Sequence, residues 1–247
     1  AIAENKDITL SPRFFNDDKF LLQSEFRQKN KKSSHSADFS QFISSDKSSK
    51  GHLFYNLKKN YESKNFNDIE LDIKIEQVSD DTYLKAYKIE SPIINNNSNL
   101  LNSINLNLYN ENQTINTNLD IYEDLSKTNN DRYEYVPNFS FSKIINDNYS
   151  LKSNGYYKNY NTNITEKVLI NNLEFNSNSE YFDNGLVNNK KLLIKNVNSD
   201  ARNSEKFKNK NSNSLVPTFQ TNYTYPLQKK TNKFNYTLTP KFTLNLS

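Results

Sequence analysis

The chain has 247 residues, enough for one large domain or two small ones. Only 34% are hydrophobic and mean hydropathy is −0.92, but 13% are Tyr or Phe and 32 basic residues face 28 acidic ones, which opposes simple disorder. The lack of cysteine excludes disulfide and thiol chemistry. The interleaving of Lys and Arg with acids gives no nucleic-acid patch, and no apolar run is long enough for a transmembrane helix.

In chain order the signal is alternation with a period of two. Ile8, Leu10 and Phe14 alternate with Asp7, Thr9, Ser11 and Arg13. Leu53, Tyr55 and Leu57 alternate with His52, Asn56 and Lys58. The cleanest case sets Ile69, Leu71, Ile73 and Ile75 against Asp68, Glu70, Asp72, Lys74 and Glu76. On a helix those apolar residues would scatter, whereas on a strand they share a face. Ile104, Leu106 and Leu108 enclose Asn105 and Asn107, and Ile115 to Ile121 continue the pattern. The last run is Phe234, Tyr236, Leu238, Pro240, Phe242, Leu244 and Leu246, expected as one strand.

About fourteen such segments are expected, most of roughly nine to thirteen residues, where soluble domains average about five or six. A tilted strand of about eleven residues crosses the apolar core of an outer membrane. The predicted fold is therefore all-β: part of the wall of an antiparallel up-and-down transmembrane β-barrel, not closed on its own. Asp68, Glu70, Asp72, Lys74 and Glu76 are expected to line the wet interior. Ile69, Leu71, Ile73, Ile75, Leu106, Leu108, Leu238, Phe242 and Leu244 are expected to face lipid.

The longest connections, about Ser79–Asn97, Asp124–Tyr133 and Asn198–Asn213, are expected at one end, as external loops are; turns such as Asn110–Asn112 and Ile144–Asp147 are shorter. Lysine-bearing loops such as Lys190-Lys191 and Lys206 to Lys210 are candidates for pairing with anionic phosphates, with ordinary loop solvation the favoured reading. Pro12, Pro137, Pro217 and Pro240 fall inside strand-like runs although proline cannot donate to a ladder.

The only imidazoles are His35 and His52, and no nucleophile, phosphate-loop or zinc-binding motif accompanies them. No catalytic residue, cofactor or metal site is predicted. For the acidic stretch from Ser79 to Leu84, a turn or loop anchor is the favoured role over a calcium site.

Certain stretches occur in a telling order. Asp7-Ile8-Thr9-Leu10-Ser11-Pro12 precedes Glu25-Phe26-Arg27; Ser79-Asp80-Asp81-Thr82-Tyr83-Leu84 follows; Leu238-Thr239-Pro240 comes late. These resemble the "D-x-T-L-T-P", "E-x-R", "S-D-x-x-Y-L" and "L-E-P" segments of the lipopolysaccharide-assembly outer-membrane family LptD, also called organic solvent tolerance protein. The acid of the last segment is replaced by Thr239. The matched positions are Pro12, Arg27, Ser79, Asp80, Asp81, Tyr83, Leu84 and Pro240.

The resemblance implies a structural part of the Gram-negative outer-membrane translocon that inserts lipopolysaccharide into the outer leaflet. It implies lipopolysaccharide, a plug lipoprotein inside the barrel and a periplasmic lipopolysaccharide bridge as partners. Residues 1–247 are then expected to form a single region, the N-terminal half of a large barrel, with the periplasmic domain and closing strands outside it. The alternative is the wall of another large outer-membrane barrel, a porin or an uptake channel.

Overall fold

In a computed structural model, which describes residues 2–15, 19–44, 49–160 and 164–247, the alternating segments become one antiparallel meander. The first strands are β1 (Lys6–Phe15), β2 (Lys19–Asn30), β3 (Ser33–Ile43), β4 (Ser49–Tyr61) and β5 (Asp68–Val78). After a one-turn helix α1 (Tyr83–Ala86) come β6 (Asn99–Asn110), β7 (Gln113–Asp124), β8 (Tyr133–Ile144), β9 (Tyr149–Tyr160) and β10 (Ile164–Asn176). Next are β11 (Glu180–Tyr181), β12 (Val187–Arg202) and β13 (Ser212–Thr224). The hairpin β14 (Leu227–Lys230) and β15 (Asn235–Leu238) precedes β16 (Lys241–Leu246).

Fourteen strands share one sheet, each long strand pairing with the next from β1 to β13 and β13 with β16; the two-residue β11 is a spur on β12. The outermost strands, β1 and β16, do not pair with each other, so the sheet is open and fits part of a barrel wall.

Register makes the faces explicit, because directly paired residues in an antiparallel ladder point the same way. One row runs Leu71, Leu106, Thr117, Phe139, Gly155 and Leu169 across six strands. The adjacent row, one residue along, runs Asp72, Asn105, Asn118, Asn138, Tyr156 and Val168. The side bearing Leu71 is called here the apolar face and the side bearing Asp72 the polar face.

The connections 79–98, 125–132 and 203–211 leave at the same end, as their parity predicts. The opposite end has tight turns at 31–32, 111–112 and 145–148, but it also carries the longer 177–186 and 225–240. The last of these corrects the expected single strand from Phe234 to Leu246. That run breaks: Phe234 to Leu238 leaves the sheet as half of the β14–β15 hairpin, and only Lys241–Leu246 rejoins it. Pro240 stands at the break, not inside a strand, and its carbonyl accepts from Tyr225 N. The missing N–H suits a corner better than a ladder. Pro12, Pro137 and Pro217 do lie within β1, β8 and β13. The β8–β9 pairing skips Val136 and Pro137, the local cost of one lost donor.

The main buried cluster is not between two sheets. It lies where the 79–98 connection folds back over the polar face of β2 to β4, joining Leu21, Phe42 and Phe54 to Tyr83, Leu84, Ile89 and Ile93. Leu100 and Leu125 complete it. Each fully buried Leu, Ile or aromatic side chain contributes about 1.5–3 kcal/mol, enough to hold a connection with almost no regular structure of its own.

Candidate functional site

The polar face is where this molecule concentrates its specific chemistry, and the 79–98 strap is tied to it by a series of side-chain hydrogen bonds. Every polar residue from Ser79 to Asp81 is tied to a different neighbour. Ser79 Oγ accepts from Gly51 N at 2.8 Å, while Ser79 N donates to Gly51 O at 2.9 Å. Asp80 Oδ1 accepts from Thr82 N and Oγ1, closing a local turn, and Asp80 Oδ2 takes Lys50 Nζ at 3.1 Å. These bonds, Thr82's first, pull the Asp80 carboxyl down to about 2.

Asp81 reaches farther. Its two oxygens accept from Arg132 Nη1 and Nη2 at 2.9 and 2.6 Å. The same guanidinium donates through Nε and Nη2 to Glu123 Oε1 at 2.8 and 2.6 Å. The charged hydrogen bond holds Asp81 below the usual carboxylate range and raises Arg132 above its ordinary value. Arg132 thus clamps the strap to the end of β7.

Tyr83 carries the strap into the sheet. Its ring is fully buried, burial raising its phenol above the ordinary value, and its Oη lies 2.7 Å from Ser40 Oγ. Ser40 Oγ in turn lies 2.6 Å from His52 Nδ1, and His52 Nε2 lies 3.2 Å from Asp38 Oδ1. Gln23 Nε2 donates to both Asp38 oxygens at 3.1 Å and to Glu90 O at 2.9 Å. Arg13 Nη2 donates to Gln23 Oε1, and Arg13 Nη1 to Tyr87 O at 2.8 Å. The arrangement follows from register: Gln23, Ser40 and His52 form one cross-strand row, and Asp38 is two residues from Ser40 on the same face.

No motif along the chain accompanies His52, but the fold gives it partners. An acid, an imidazole and a hydroxyl are joined in the order that nucleophilic catalysis uses. They are nevertheless placed as packing. Asp38 is fully buried, Ser40 and His52 nearly so, and the Ser40 hydroxyl is covered by Tyr83. His52 stacks on Phe54 at 4.3 Å between ring centres. Hydrogen-bonding the strap to three strands is what this chain does. The sequence could have pointed here only through pairing: the register of two successive hairpins, not spacing along the chain, brings these residues together.

Of the residues expected inside, Asp68, Glu70, Asp72, Lys74 and Glu76 all point to the polar face, paired across to Tyr109, Asn107, Asn105 and Ser103 for the first four. Glu76 is buried; its Oε2 accepts from Leu101 N at 2.7 Å and its Oε1 lies 2.7 Å from Lys74 Nζ. With Asn102, which exchanges side-chain bonds with the Glu76 backbone, it bridges β5 and β6 beyond their last ladder pair, Lys74 with Ser103. The other residues of this set make looser contacts, such as Asn107 Nδ2 to Glu70 at 3.4 Å.

Of the residues expected to meet lipid, Ile69, Leu71, Ile73 and Ile75 share the apolar face with Leu106 and Leu108, and the register carries that face on to Phe242 and Leu244. Leu238 does not join them: it pairs with Leu227 in the separate hairpin. Among the motif positions, Ser79, Asp80, Asp81, Tyr83 and Leu84 converge in the strap, Arg27 lies 3.4 Å from Asp7, and Pro12 sits in edge strand β1. Among the described residues no group of three or more His, Asp or Glu is placed to hold a metal, and no helix is long and apolar enough to cross a membrane, which says nothing of a β-barrel.

A family model described as LPS transport system D, LptD, matches residues 48–246. No curated protein matches the chain. The matched region contains Gly51, His52, the whole strap, the Arg132 clamp and every strand from β4 to β16.

Proposed function

Since the chain belongs to the LPS transport system D family, LptD, whose members are outer-membrane transport barrels acting in lipopolysaccharide transport and assembly and not enzymes, we propose that it is a stretch of barrel wall in the translocon that inserts lipopolysaccharide into the outer leaflet. The observation that carries this reading is the two-faced register. From β5 to β8 most residues on one side are apolar, whereas Asp, Asn, Ser and Lys predominate on the other. In this reading the Leu71 side meets lipid and the Asp72 side lines a wet lumen.

The chemistry of the polar face supports a wet interior. The side-chain oxygens of Asn56, Asn116, Asn118 and Asn172 are buried there without a hydrogen-bond partner in the protein. Buried amide oxygens are satisfied almost without exception, so a hydrated lumen is the environment that suits them. The apolar face supports lipid contact: Ile104, Leu119, Phe139, Leu169 and Leu173 are all more than a third exposed on it. In water that would be a large apolar patch; in a bilayer it is the correct surface.

In the same proposal the edges at β1 and β16 continue into further strands, a periplasmic domain receives lipopolysaccharide from the periplasmic bridge, and a plug lipoprotein sits against the polar face. The strap, fixed to β2, β3 and β4, narrows the lumen at one end and shapes what the plug and the passing lipid meet.

Depletion of the full-length protein in a strain with a single copy tests the function. Surface lipopolysaccharide is expected to fall several-fold while it accumulates behind the outer membrane, and a small lipoprotein is expected to co-purify with the barrel. Unchanged surface lipopolysaccharide together with lost uptake of small solutes would replace the translocon with a porin or uptake channel.

A further inference from the structure

Two hollows meet at one corner of the sheet, and their chemistries differ. The larger, of about 1160 Å³, runs from β6 across to β12 and the start of β13; Ile104, Leu119, Pro137, Phe139 and Leu169 wall its apolar part between β6 and β10, and its far end is lined by Asn and Ser residues. Gly155 shapes its floor: a Cβ there would stand 2.8 Å from Phe139 Cε1 and 2.9 Å from Val168 O, so a bare backbone is what lets the Phe139 ring approach β9 so closely. The smaller, of about 340 Å³, opens where β10 and β12 run into the 203–211 connection. Lys167, Arg202 and Lys210 line it, with Asp200 as the one carboxylate.

Lys167 and Asp200 belong to both hollows, so the two form one continuous site. These side chains lie 3.6 Å apart and each is more than half exposed, a pairing too weak to neutralise the cup. Arg202 and Lys210 leave it net positive. An apolar trough therefore ends in a cationic cup. Of the Lys206 to Lys210 stretch, Asn209 and Lys210 line it, and Lys210 is the one lysine of the three that does.

We propose that this corner binds a phosphate-bearing membrane lipid on the outside of the wall, an acyl chain along the trough and the phosphate among Lys167, Arg202 and Lys210. The proposal rests on the reading that the Leu71 side faces lipid. Arg202 supplies a planar fork that grips two phosphate oxygens, and the lysines supply point charges. A zwitterionic lipid fills the trough equally well but brings its own cation into the cup, so the cup selects for net negative charge. A free anion would gain nothing from the trough.

The test uses the full-length chain in nanodiscs of phosphatidylcholine with a minority of phosphatidic acid, carrying a photo-reactive phenylalanine derivative in place of Leu119. Cross-linked lipids are identified by mass spectrometry. Phosphatidic acid is expected to be captured out of proportion to its share, on the order of fivefold or more, given about 1 kcal/mol per basic residue near an anionic lipid. The triple variant K167Q/R202Q/K210Q is expected to return capture to the bulk ratio with phosphatidylcholine capture intact. K210Q alone, on an exposed connection, is expected to lower the enrichment without risk to folding, and K206Q/K208Q to leave it unchanged. Capture at the bulk ratio in the wild type, or enrichment that survives the triple substitution, would overturn the proposal. So would enrichment abolished by millimolar inorganic phosphate, which would make the cup a free-anion site. Capture of no lipid at all would be a separate failure, that of the lipid-facing assignment itself.

Discussion

Asp81 and Arg132 meet across the mouth of the sheet through two parallel hydrogen bonds of 2.6 and 2.9 Å, and this contact fastens the strap to strands that follow it in sequence. Arg132 also holds Glu123, whose side chain is only 10% exposed. Replacing Arg132 with Ala leaves two carboxylates facing each other with no cation between them. The expected cost is about 2–3 kcal/mol of local stability. Hydrogen exchange of amides in 79–98 is the measurement, with protection falling roughly 30-fold to 150-fold. Arg132→Lys keeps the charge but loses the fork, and is expected to fall between.

The strap is also expected to loosen in acid. Asp80 titrates at about 2 in the folded chain and Asp81 is lowered as well, against about 3.9 for a free aspartate. Folded carboxyls with depressed values stabilise fully above the unfolded value and lose that contribution as pH falls through the folded one. Protection of 79–98 is therefore expected to be flat from pH 8 to 5 and to fall between about pH 4 and 2. Asp80→Asn is expected to remove part of that fall. A profile that changes around pH 6 instead would assign the latch to a histidine.

The Asp38–His52–Ser40–Tyr83 chain is expected to behave as packing. His52→Ala leaves the fully buried Asp38 carboxylate without its imidazole partner, held by Gln23 and Ser91, and is expected to cost about 3 kcal/mol or more. Ser40→Ala removes a hydroxyl between His52 and Tyr83 and is expected to cost about 1–2 kcal/mol. Unfolding of the reconstituted barrel in urea measures both. Hydrolysis of a nitrophenyl ester by the wild type is expected to equal that of Ser40→Ala; an excess in the wild type would make the chain catalytic.

Gly51 is a point of close backbone approach. A Cβ there would collide with Ser40 O, and a backbone oxygen cannot swing aside as a side chain can. Gly51→Ala must part β3 from β4 beside the Ser40–His52 bond and the Ser79 anchor. A loss of about 1–3 kcal/mol is expected in the same urea experiment. Asn56→Ala, on the same strand but facing the polar side, removes atoms instead of adding one against a backbone, and is expected to cost less.

The two faces are expected to respond oppositely to charge. Leu106→Arg puts a guanidinium on the apolar face in mid-strand, where such a change costs about 2–4 kcal/mol at the bilayer midplane. Asn105→Arg, one residue away on the polar face, is expected to be nearly neutral. Equal effects would mean that neither face meets lipid.

Much of this architecture was legible in the residues. Alternation from Asp68 to Glu76 specifies a strand and assigns each side chain to a face, because period two is a property of the extended backbone and needs no partner. The end at which the 79–98, 125–132 and 203–211 connections emerge follows from strand parity alone. The Ser79 to Leu84 stretch could be recognised as an anchor, but not what it is anchored to.

What the sequence by itself determined is the material of the wall: long strands, two chemically opposed faces, and a family resemblance carried by a few ordered motifs. Only the tertiary structure decided that the strap folds over the polar face, that Tyr83 closes on Ser40 and His52, and that Phe234 to Leu238 departs from the sheet. Alternation is local and survives any register, whereas a contact such as Tyr83 with Ser40 depends on how several hairpins slide past one another. That choice is made by the summed packing of β2, β3, β4 and the strap, a quantity no single stretch of sequence contains.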